Sequence, residues 1–110
     1  MLRGPRQFDA IQRSGRVRAH PLLLARFAAN DSGRVRWGLS TGKRLGGAVV
    51  RNRVRRRLRE GMRVVLPRIP DGWDIMLIAR PESAGASSEE LHAAIVDLAR
   101  RGGLLKPEPE

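Results

Sequence analysis

The first apolar positions along the chain, Phe8 and Ile11, lie three apart behind Pro5 and stop at Ser14-Gly15. That spacing predicts a short first helix ended by glycine. Leu22-Leu23-Leu24-Ala25-Arg26-Phe27 reads as a strand, with room for a further short strand at Arg16–Ala19. Asn30-Asp31-Ser32-Gly33 is a turn signal, so Arg34–Ser40 is expected to return antiparallel as a hairpin partner. From Ala48 to Leu66, Val50, Val54, Leu58 and Met62 recur every four residues and Val65 and Leu66 extend the stripe. This predicts one long helix with a face for a sheet, ended by Pro67 and Pro70. Gly61 inside it costs about 1 kcal/mol relative to Ala. After Asp71-Gly72, the segment Trp73–Arg80 holds a nearly continuous apolar run, Ile75–Ala79, suited to a strand covered on both faces. Pro81 to Ala86 form a loop. Ser87 and Glu90 have capping-box spacing, and Leu91, Ile95 and Leu98 line a last helix that stops at Gly102-Gly103.

The order argues for an α+β sandwich with helices packed on one small mixed sheet, the long helix making a βαβ-like crossover between two strands. At 110 residues, a single domain over 1–105 is expected, with a disordered tail at 106–110. No apolar run approaches the roughly 20 residues of a bilayer span. The basic start, Met1 to Arg6, lacks the apolar stretch of a secretory signal, and there is no cysteine, so the cytoplasm is the expected compartment.

Charge changes the picture most. The net charge is +11, and it is segregated: residues 1–68 hold 18 Lys/Arg against Asp9, Asp31 and Glu60, whereas residues 69–110 hold 4 basic against 8 acidic residues. Six arginines fall within 51–59, with Glu60 their only near acid. Like charges one turn apart, such as Arg51/Arg55 and Arg55/Arg59, each cost a helix a few tenths of a kcal/mol. Uptake of that charge by a polyanion is the expected compensation, since guanidinium forks match phosphate oxygens and displace condensed counterions. A basic amphipathic helix also suits an anionic membrane or a calmodulin-type partner, but this stripe lacks Trp and Phe and is needed for the core.

Other chemistry finds little support. Gly38 and Gly42 enclose three residues and Arg44 follows Lys43, so the Walker spacing fails and nucleotide hydrolysis is rejected. Protein-based nuclease chemistry needs converging carboxylates or a histidine pair. His20 and His92 read as surface residues, and Asp71 and Asp74 as turn and strand-end residues. Phe27, Trp37 and Trp73 are expected in the core, leaving Phe8 as the favoured ring for base stacking.

The run from Gly38 to Glu60, with Ala48-Val49-Val50-Arg51-Asn52-Arg53 at its centre, resembles the signature of the bacterial ribonuclease P protein component, whose RNR motif it matches. Phe8-Asp9-Ala10-Ile11 with Ser14-Gly15 looks like that family's first helix, and Asp74–Arg80 like its last strand. The resemblance implies an αβββαβα fold with a left-handed βαβ crossover, against the usual right-handed preference. It also implies a subunit that joins a catalytic RNA, one protein per RNA, and promotes removal of the 5′ leader from precursor tRNA. The RNA and its Mg²⁺ then perform the hydrolysis, with no metal expected on the protein alone. Carried over by position, Arg51, Asn52, Arg53, Arg55, Arg56 and Arg59, with Lys43 and Arg44, would face the catalytic RNA. Phe8 and Ser40 fall on a cleft for the leader. Gln12 and Ala25 replace aromatics common there, leaving Gln12 and Arg26 as polar contacts. A small structural RNA-binding protein, such as a ribosomal protein, is the alternative.

Overall fold

The strand with the least polar sequence takes the centre of the sheet, because only a central strand packed on both faces is shielded on both sides. The computed structural model describes residues 15–105. Its elements are β1 (Arg16–Ala19), β2 (Leu23–Ala29), β3 (Val35–Thr41), α1 (Ala48–Val65), β4 (Trp73–Ala79) and α2 (Ser88–Arg101), with one-turn 3-10 helices at Lys43–Leu45, Leu66–Arg68 and Pro81–Gly85. The expected first helix, with Phe8 and Gln12, and the tail 106–110 lie outside the described residues.

The strands are ordered β1-β2-β4-β3. β4 runs antiparallel to β2 and parallel to β3, with α1 as the crossover. The expected hairpin between β2 and β3 is therefore corrected: the two strands are antiparallel in direction but β4 lies between them. The turn itself shows why. Asn30 N donates to the Gly72 carbonyl at 2.8 Å and Gly72 N donates to the Arg34 carbonyl at 3.1 Å, so both ends of the turn grip the residue that leads into β4. The apolar run of β4 then fills the gap, with Ile75, Met76 and Leu77 all buried.

Register assigns the two faces. Phe27, Ile75 and Trp37 share one row, and Ala25, Leu77 and Leu39 the next. These rows meet α1 through Val54, Leu58, Met62 and Val65, and α2 through Leu91, Ile95 and Leu98, in one core. Phe27 and Trp73 meet edge to face, with ring centroids 6.0 Å apart. Burying each such side chain is worth about 1.5–3 kcal/mol. Four of them on α1 outweigh like-charge terms of a few tenths each, so core packing offsets the repulsion along the basic helix.

Gly61 has a matching purpose. A Cβ built there would stand 2.7 Å from Ile95 Cδ1 and 3.6 Å from His92 Cα, so its absence lets α2 lie close on α1. Ala25 is also a core residue, 3% exposed. Its lack of an aromatic ring therefore does not bear on the opposite sheet face, where β2 presents Leu24 and Arg26.

Candidate nucleic-acid interface

An α-helix turns about 100° per residue, so a run of arginines cannot all point one way. On α1 the exposed ridge is Val49, Asn52, Arg56, Arg59, Glu60 and Arg63. Arg56 and Arg59 make no hydrogen bond or ion pair among the described residues. The remaining guanidinium groups are half-buried and turned along the protein. Arg53 Nη2 donates to the Ala84 carbonyl at 3.1 Å and Arg57 Nη1 to the Ala86 carbonyl at 2.6 Å. Arg55 donates from Nη2 to Thr41 Oγ1 at 2.7 Å and from Nη1 to Asn52 Oδ1 at 3.1 Å. Arg51 and Arg53 each keep a buried Nε with no partner among the described residues.

Lys43 and Arg44 are exposed on the 3-10 turn between β3 and α1, also without partners among the described residues. No acidic side chain lies in the first turn of α1, and its N-cap, Gly47, has no side-chain cap. Positive charge thus collects where the helix dipole is already positive, an arrangement that favours an anion.

The outer sheet face carries the second set. Leu24, Ile78 and Ser40 form one cross-strand row, and Arg26, Met76 and Gly38 the next. At the Ser40 end lies an open groove of about 490 Å³ lined by Leu24, Ser40, Arg44, Ile78, Arg80 and Pro81 among others. The structure thus brings Ser40 and Arg44 together, places Arg26 one row away, and leaves Phe8 and Gln12 outside the described residues.

The groups considered for protein-based hydrolysis are otherwise occupied. Asp74, near the start of β4 as expected, is only 5% exposed. It accepts a two-pronged contact from Arg36, Nε to Oδ1 at 2.8 Å and Nη2 to Oδ2 at 2.9 Å, and a third bond from Asn30 Nδ2 at 2.8 Å. Hydrogen bonding to Asp74 in turn raises the Arg36 pKa, against the opposing pull of its own desolvation. His20 is half-buried and closes the β1–β2 turn, its Nδ1 accepting from Leu22 N at 3.0 Å. His92 is half-buried at the surface, in the α1–α2 groove. Among the described residues no three His, Asp or Glu converge to hold a metal ion.

Sequence reasoning missed Arg36, Arg80 and the separate role of Arg57. Only Arg57 left a signal, its helical offset from Arg56; the other two depend on strand neighbours that the turn signals misassigned.

Comparison with known proteins agrees with this geometry. Residues 1–102 match the family Ribonuclease P. The ribonuclease P protein component of Roseiflexus sp. (strain RS-1) is 42% identical over 106 residues, covering 96% of this chain and 87% of that protein. That of Herpetosiphon aurantiacus is 39% identical, covering 94% and 84%. Among solved structures, the RNase P protein from Thermotoga maritima superposes with a TM-score of 0.82 at 26% identity, covering 91% and 94%. The Staphylococcus aureus RNase P protein shares the fold, with a TM-score of 0.86 at 23% identity over 96% of each chain. None of these likenesses favours a ribosomal protein. With the arginine-rich helix, the four-stranded mixed sheet and relatives matched over nearly their whole length, the chain belongs to the ribonuclease P protein component family, a subunit of the ribonucleoprotein endoribonuclease ribonuclease P.

Proposed function

We propose that this subunit holds two stretches of RNA at once. The exposed ridge of α1, with Asn52, Arg56 and Arg59, and the adjacent Lys43 and Arg44, take phosphates of the ribonuclease P RNA, one protein per RNA. Arg51 and Arg55 flank that ridge and supply positive potential from beneath it. The outer sheet face, through Ser40, Arg26 and the groove beside Arg44, takes the single-stranded 5′ leader of precursor tRNA. The observation that carries this reading is that Arg44, one of four cations at 43, 44, 56 and 59 whose side chains have no partner among the described residues, lines the groove that also contains Ser40.

Hydrolysis then falls to the RNA, with Mg²⁺ held mainly by it. Asp74, held by Arg36 and Asn30, is committed to the sheet, which is consistent with that division. The protein's part is electrostatic and geometric: it neutralises phosphate repulsion and fixes the leader relative to the catalytic RNA. No described helix is long and apolar enough to cross a membrane, which fits work in the cytoplasm.

Reconstitution with a bacterial ribonuclease P RNA tests the reading. Added protein is expected to speed precursor tRNA cleavage at near-physiological Mg²⁺ and to tighten binding of substrates that carry a leader over mature tRNA. Cleavage identical to that of RNA alone would overturn it.

A further inference from the structure

The half-buried arginines of α1 reach the two segments that wall the groove. Arg55 holds Thr41, the residue after Ser40, at the end of β3. Arg53 and Arg57 hold the carbonyls of Ala84 and Ala86, in and just after the turn Pro81–Gly85. That turn starts from the groove lining itself, Arg80 and Pro81. It is a tight unit: Ser83 is fully buried, and its N and Oγ both donate to the Arg80 carbonyl, at 2.9 and 2.7 Å. A displacement at Ala84 is therefore passed to Arg80 and Pro81.

We propose that Arg53 and Arg57 are positioning residues of the groove, and that α1 thereby sets the groove's width from the side that meets the catalytic RNA. Arg53 spends an Nη donor on Ala84, and its buried Nε shows the side chain folded against the protein. That bond ties one edge of its guanidinium to the turn. The RNR motif is on this view divided within itself: Asn52 faces outward, whereas Arg53 braces the neighbouring site. The inference rests on the leader-binding reading above and adds to it the residues that hold the site open.

The experiment uses reconstituted particles with wild-type protein, Arg53→Ala, Arg57→Ala and, as the contrast, Arg56→Ala, after thermal melting confirms that each folds. Two quantities are read: the affinity gain of precursor tRNA with a leader over mature tRNA, and the salt slope of protein binding to the catalytic RNA. Arg53→Ala and Arg57→Ala should each reduce the leader gain about three- to tenfold, the value of one ordinary hydrogen bond, while shifting the log–log salt slope by less than about 0.5. Arg56→Ala should lower the slope by about 0.7–0.9 and leave the leader gain intact. A fall of about one slope unit in Arg53→Ala, with the leader gain unchanged, would overturn the inference alone. A wild-type protein that confers no leader gain overturns the parent reading and this inference with it. If Arg53→Ala fails to melt cooperatively, amide exchange at Ser83 and Ala86 in Arg57→Ala decides: faster exchange confined to that turn supports the brace, and unchanged exchange refutes it.

Discussion

The two helices share one core but are built on opposite terms. α2 begins with a complete capping box, Ser87 Oγ accepting from Glu90 N and Glu90 Oε1 accepting from Ser87 N, both at 3.0 Å. It carries Glu89 and Glu90 in its first turn and Arg100 and Arg101 in its last, so its charges oppose its dipole at both ends. α1 has no side-chain cap, no acid in its first turn, and arginine along most of its surface. α1 lacks the cap and the first-turn acids that help α2, keeps only Arg63 as a basic residue in its last turn, and depends instead on Val54, Leu58, Met62 and Val65. A helix this rich in arginine leaves its N-terminal dipole and several of its cations unanswered among the described residues, and tertiary packing makes up the difference.

The largest test of that contrast removes the packing. Leu58→Ala, at a fully buried position, should cost about 2–5 kcal/mol in urea or thermal unfolding. A loss below 1 kcal/mol would mean that α1 stands without its core stripe. A smaller effect is expected for the cap of α2: Ser87→Ala should cost about 1 kcal/mol. The same cap supplies a pH signature. Hydrogen bonds from the Ser87 backbone and side chain hold the Glu90 carboxyl below its usual 4.5. Its contribution is therefore complete above that value and is lost as pH falls through the lower folded-state pKa. Glu90→Gln, which removes the titrating carboxyl, should flatten this part of the acid-unfolding profile, and an unchanged profile would remove the cap as its source. The smallest effect on stability belongs to the exposed ridge: Arg56→Ala with Arg59→Ala should stay within about 0.5 kcal/mol of wild type in unfolding. A clear loss of stability there would show that these two side chains support the fold.

Much of this architecture can be read from local signals. The 3.6-residue stripe marks α1, the serine-to-glutamate spacing marks the start of α2, and the continuous apolar run marks β4 as a strand covered on both faces. Strand order cannot be read that way. Asn30–Gly33 announces a reversal of direction, but whether another strand enters between the reversed pair depends on Gly72, which comes after α1. The burial of Asp74 is hidden for the same reason, since it depends on Arg36 and Asn30 arriving from two other segments. In the candidate site, the basic run and the resemblance it carries single out α1 as the helix proposed to bind RNA. The division of labour among its arginines stays hidden, because the acceptors at Ala84 and Ala86 are backbone carbonyls that leave no mark in a side-chain pattern.

The sheet order has a further consequence for how the chain assembles. β1 and β2 can pair as soon as they are made, but Leu23 must wait for Ala79, and β3 has no partner strand at all until β4 arrives. Contacts so distant in sequence slow folding. During synthesis the most cationic part of the polypeptide therefore leaves the ribosome before the strand that closes its scaffold, and the final geometry of the groove is one of the last events in the birth of the molecule.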